Sequence, residues 1–99
     1  MNVQFTARHF KAHEGLKQYA LNQIFTLKKY YEGILNGNII LQYEKPKDSL
    51  KIVEINLLVY GQSLIAIEKS DDFYKSIDSA VDKLERQLKK YKDKIRNHK

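Results

Sequence analysis

Between Phe73 and Ile95 the apolar positions Phe73, Ile77, Ala80, Val81, Leu84, Leu88, Tyr91 and Ile95 recur at steps of three and four. That spacing holds them on one face of a helix for about six turns. So long an apolar stripe has to be covered, and a chain of 99 residues has one core with which to cover it. One broad apolar surface is therefore required from the remainder of the chain, and the face of a sheet suits a long helix.

The upstream residues supply strands. NVQFTAR (2–8) alternates polar and apolar, with Val3, Phe5 and Ala7 to one side, as in a half-buried strand. From about His13 to Tyr31 the positions Leu16, Ala20, Ile24, Leu27 and Tyr31 share a helical face, and Gly33 with Asn36-Gly37-Asn38 is expected to stop that helix. Three strand-like runs follow: 38–43, then 51–60, rich in β-branched residues, then 63–69. The loop 44–50, with the only proline, separates the first two, and Gly61-Gln62 is read as a Gly-X hairpin loop between the others. Ser70 or Asp71 is placed to cap the last helix, with a further acid in its first turn.

The order β-α-β-β-β-α predicts an α+β fold. The first helix is long enough to cross over between parallel neighbours right-handedly, and the remaining strands continue as an antiparallel meander. Both helices then pack on one face of a four-stranded sheet, while Gln42, Glu54 and Asn56 look away from them. Without repeats or a linker, residues 1–99 read as a single domain.

Charge is unevenly placed. Residues 1–82 hold ten basic and ten acidic side chains, and residues 83–99 hold eight and two, so the whole excess of +6 lies in the last segment. At 100° per residue, Lys83, Arg86, Lys90 and Lys94 fall on one flank of the stripe, with Ser76, Ser79 and Gln87. Asp78, Asp82 and Glu85 occupy the opposite flank, which turns basic beyond Leu88 through Lys89, Lys92 and Arg96. Pairs four apart, Asp82–Arg86 and Glu85–Lys89, account for some of these charges at about 0.2–0.5 kcal/mol each. They leave one flank almost wholly cationic, and such a surface repels itself until an anion meets it. Cations at three- and four-residue steps lie about 5–6 Å apart, comparable to successive backbone phosphates. Arg86 adds a planar fork for bidentate phosphate contact. The pattern points to polyanion binding through the backbone, with no aromatic pair evident for base stacking.

Other chemistries find less support. There is no cysteine, hence no disulfide or thiolate metal site. No apolar run reaches the roughly 18–20 residues that span a bilayer, and the first residues lack the pattern of a secretory leader. A cytoplasmic location is expected. His9 and His13, followed by Glu14, straddle a strand-to-helix junction without a third ligand, so neither metal nor cofactor is expected. Asp71-Asp72 reads as a helix start rather than an acid/base pair, and no enzymatic activity or small-molecule substrate is inferred.

"DDFYKSIDSAVDKLERQLKKYKDK" (71–94) and "MNVQFTARHFKAHEGLKQYALNQI" (1–24) resemble the ribosome hibernation-promoting factors, also called ribosome-associated inhibitor or sigma modulation proteins. The similarity runs over nearly the whole chain, and that family shares the β-α-β-β-β-α fold, related to the double-stranded-RNA-binding domain. It implies binding to the small ribosomal subunit between head and body, over the mRNA and tRNA sites, through 16S ribosomal RNA. Lys83, Arg86, Lys90 and Lys94 match the basic positions of the family's last helix, with Lys89 beside them. Arg8 matches a basic residue near the end of the first strand, and Lys28 and Lys29 the basic end of the first helix. The chain resembles short members, without the second domain that pairs ribosomes, and is expected to be a monomer off the ribosome. Two other readings stay open: a basic module docking an acidic protein such as a sigma factor, and a free double-stranded RNA binder.

Overall fold

The structure is a computed structural model that describes residues 1–44 and 50–96. Its elements are β1 (Asn2–Ala7), α1 (Glu14–Phe25), a 3₁₀ turn (Thr26–Lys29), β2 (Asn36–Tyr43), β3 (Lys51–Val59), β4 (Gln62–Ser70) and α2 (Phe73–Arg96). Most of the loop expected over 44–50 lies outside the described residues.

The sheet runs β1-β2-β3-β4, with β1 parallel to β2 and the other neighbours antiparallel, as the element order predicts. Register fixes which side chains meet the helices. Phe5, Ile39, Ile55 and Ala66 lie in one row across the strands, and Val3, Gly37, Leu57 and Leu64 in another. Under them pack Leu16, Ala20, Ile24 and Leu27 from the first helical segment and Ile77, Ala80, Leu84 and Leu88 from α2, all in one core cluster. Gly37 gives room for that approach, because a Cβ there would come within 2.8 Å of Ile24 Cδ1 and push that methyl group aside. The helix-free face takes Gln42, Glu54 and Asn56 as expected, but also Ile65 and Ile67, which are 49% and 52% exposed.

Three local features differ from the sequence expectation. The first helix does not run to Tyr31: α-helical geometry ends at Phe25, where the Thr26 hydroxyl donates to the Gln23 carbonyl at 2.6 Å and the chain tightens into the 3₁₀ turn. Leu27 stays fully buried through that turn, and Asn36 and Gly37 begin β2 rather than ending a helix. The cap of α2 is Asp72, whose Oδ1 accepts from the Tyr74 amide at 2.9 Å, while Ser70 Oγ supports it by accepting from the Asp72 amide. Ser70 also reaches Ser76, which lies fully buried and donates to the Lys51 carbonyl instead of standing on the solvent flank. Finally, Val59 pairs with Gln62, so the hairpin loop is Tyr60-Gly61, with the positive φ of +85° at its second position.

Candidate nucleic-acid interface

The cationic residues are set by how α2 is held. Its buried stripe pins it across β3 and β4, and Tyr91 fastens the far half. The Tyr91 ring packs edge-on against Tyr31 at 5.3 Å, and its hydroxyl donates to the Tyr60 carbonyl at 2.7 Å. Burial first, then the Tyr31 hydroxyl, raises the Tyr91 pKa above the ordinary tyrosine value. Ile95, last in the stripe, is 43% exposed, so the final turn leaves the core behind.

On the flank toward the β4 edge, Lys83 Nζ meets Glu68 at 2.7 Å, and Gln87 donates to the outward-facing Ile65 carbonyl at 2.9 Å. The Gln87 bond occupies one of the acceptors that an edge strand otherwise leaves open. Beyond it, Lys90 and Lys94 line a groove with Gln62 and Leu64. Arg86 does not pair with the Asp82 carboxylate; its Nε lies 3.5 Å from the Asp82 carbonyl oxygen, so the guanidinium fork is turned along the helix surface. Among the described residues, no carboxylate lies within ion-pair distance of Arg86, Lys90 or Lys94.

The flank toward α1 is organised differently. Glu85 and Lys89 pair at 3.0 Å as the spacing predicts, and the hydrogen bond lowers the Glu85 pKa while raising that of Lys89. Lys89 and Lys29 both stand over the Tyr30 ring, at 5.3 and 5.4 Å from its centre. Lys29, from the 3₁₀ turn, thus joins the α2 cations, and Lys28 precedes it in the same turn. Nearer the start of the helix, Asp78 accepts from Tyr19 and Gln23, which raises the Tyr19 pKa.

Arg8 is not brought to this surface. It follows β1 on the opposite sheet edge, its amide bonds the Leu41 carbonyl, and its guanidinium reaches Gln42 at 3.5 Å on the helix-free face. Next to it His9 adopts a left-handed φ of +63°, and His13 caps α1 by accepting from the Leu16 amide at 3.2 Å. Among the described residues no three His, Cys, Asp or Glu gather as a metal site, and no helix is long and apolar enough to cross a membrane. The expected helix cations divide into a group without a carboxylate partner among the described residues, Arg86, Lys90 and Lys94, and two with such partners, Lys83 and Lys89. The answering acid Glu68 escaped the sequence reading because nothing within the last helix identifies the strand edge beside it.

Residues 3–96 match the family described as sigma 54 modulation protein / S30EA ribosomal protein. The chain belongs to this family. Among its S30EA relatives, the ribosome hibernation promoting factor of Pseudomonas putida is 32% identical over 94 residues, covering 95% of this chain and 89% of the relative. The protein of the same name from Salmonella typhimurium is 31% identical and is covered over its full length by 99% of this chain. A ribosomal subunit interface protein of Coxiella burnetii superposes with a TM-score of 0.85 at 31% identity, covering 94% of this chain and 99% of that one. The fold inferred from periodicity is thus shared with that solved structure.

Proposed function

We propose that this chain is a ribosome hibernation factor that silences ribosomes by occupying the decoding region of the small subunit, between head and body, where mRNA and tRNA otherwise sit. It acts in the cytoplasm and binds 16S ribosomal RNA as a monomer. Steric occupation suffices, so no reaction, cofactor or small-molecule substrate is involved. Family membership supports the ribosome as target. The observation that carries the mode of binding is the trio Arg86, Lys90 and Lys94, held on a core-anchored helix with no carboxylate partner among the described residues. Lys83, Lys89, Lys28 and Lys29 extend that surface, and Arg8 forms a separate contact.

Joint replacement of Lys83, Arg86 and Lys90 by Glu tests this reading. All three side chains are exposed, so far-UV circular dichroism stays as in the parent. Co-sedimentation with ribosomes in a sucrose gradient is lost. For the parent, the logarithm of affinity falls with the logarithm of salt by roughly 0.7–0.9 per phosphate contact. A folded triple variant that still co-sediments removes the assigned surface, and sedimentation with the large subunit alone removes the assigned location. Ribonuclease treatment of a lysate releases the protein under this reading, whereas a complex that survives it indicates an acidic protein partner.

A further inference from the structure

Tyr60 stands at the first position of the two-residue β3–β4 loop with its side chain 83% exposed, although its backbone is firmly held. Val59 and Gln62 pair beneath it, Gly61 closes the turn at a positive φ, and the Tyr91 hydroxyl bonds its carbonyl at 2.7 Å. The ring borders a notch of about 320 Å³ whose other walls include Lys94 and the exposed side of Ile95. A second notch, of about 210 Å³, shares Gln62, Tyr91 and Lys94 with the first and adds Lys90, Gln87 and Leu64 along the β4 edge. The two make a trough with an aromatic ring and an apolar wall at one end. Two cations four residues apart follow, separated by about 6 Å along the helix axis.

Neither half of this arrangement suits a duplex or an apolar protein partner as well as it suits an unpaired strand. A base inside a helix has no free face to offer a ring, and an apolar partner would meet Lys90 and Lys94. An unstacked nucleotide presents both groups at once: a flat π-face for the ring and flanking phosphates for the ammonium groups. We propose that this trough is a subsite for single-stranded RNA, in which one unpaired base stacks on Tyr60 beside Ile95 while adjoining phosphates lie on Lys94 and Lys90. The inference rests on the ribosomal-RNA reading above and adds a base contact to a surface otherwise confined to backbone.

The test uses the full chain and a single-stranded RNA of about ten nucleotides carrying one 2-aminopurine, compared with the same strand annealed to its complement. The expected result is that Tyr60→Ala weakens single-strand binding about tenfold and removes the quenching of 2-aminopurine. The salt slope does not change, because no cation is lost. Tyr60→Phe restores both affinity and quenching, and duplex binding is the same for all three proteins. Single-strand affinity unchanged in Tyr60→Ala overturns the subsite, as does an equal loss for duplex and single strand, or a parent protein that ignores the single strand. Ribosome co-sedimentation of the Lys83, Arg86, Lys90 charge-reversal variant separates the two claims. Its persistence removes the assigned cationic surface, failure of the parent to co-sediment sinks the ribosomal reading, and an unaltered Tyr60→Ala titration sinks only the stacking subsite.

Discussion

From Phe73 to Leu84, α2 carries two basic and two acidic side chains, summing to 0; from Glu85 to Arg96 it carries six and two, summing to +4. The same apolar stripe runs beneath both halves as far as Tyr91. What differs is whether the polar groups are answered by the fold. In the first half Asp72 caps the helix, Ser76 bonds Ser70 and Lys51, Lys75 meets Asp71, Asp78 holds Tyr19 and Gln23, and Lys83 meets Glu68. In the second half Gln87 and Tyr91 bond the Ile65 and Tyr60 carbonyls, but of its charged groups only Glu85 and Lys89 form an ion pair among the described residues. Like charges four apart, such as Lys90 with Lys94 and Lys92 with Arg96, cost the isolated helix about 0.2–0.5 kcal/mol per pair. A segment that keeps its buried stripe while working against its own charge is one where a requirement outside the fold has prevailed. The first half holds the domain together, and the second presents charge from a support that the core keeps rigid.

The most drastic way to break that distinction is through the stripe, which the halves share. Leu84→Asp and Leu88→Asp each put a carboxylate where the native side chain is fully buried. Both are expected to abolish folding, read as loss of far-UV ellipticity and of a cooperative melt. The milder Leu88→Ala should cost about 2–5 kcal/mol, measured by denaturant titration. If Leu88→Asp folded as the parent does, the second half would not be anchored, and its cations would lack the fixed spacing that backbone contact needs.

The same division explains how far the molecule could be read from its residues. Periodicity carries the stripe of α2 and the alternation of β1 directly, since burial on one face imposes a period of 3.6 or 2 on any chain that folds. Strand order follows from connection lengths and handedness. Contacts between elements leave no such period. Arg86 sits four residues after Asp82, yet its guanidinium does not meet that carboxylate, and Lys83, with no acid at helical spacing to claim it, finds Glu68 fifteen positions upstream. Ile65 and Ile67 occupy the helix-free face although alternation alone would assign that face to polar residues. Tyr60 emerges as the loop's leading residue only once Val59 is seen to pair with Gln62, which moves the turn by one position.

A smaller effect is expected where the first half begins. Asp72→Ala removes the side chain that accepts from the Tyr74 amide and should cost about 1 kcal/mol of stability. Because Asp72 precedes the neutral half of the helix, the salt slope of ribosome binding should stay as in the parent. A changed slope would mean that the charge of the first half also reaches the RNA, erasing the division between support and contact.

The smallest structural change gives the sharpest comparison. Lys83 stands at the boundary of the two halves and is the only cation of the β4-side flank that an acid answers within the described residues. Glu68→Gln keeps the shape of the side chain and removes that acid's charge. The pair is half exposed on the lysine side, so stability should fall by only about 0.2–1 kcal/mol. Binding should respond in the opposite sense: with Lys83 released, one further phosphate can be neutralised, affinity at low salt should rise, and the log–log salt slope should steepen by about 0.7–0.9. An unaltered slope would show that Lys83 belongs to the support, and the contacting surface would then begin at Arg86.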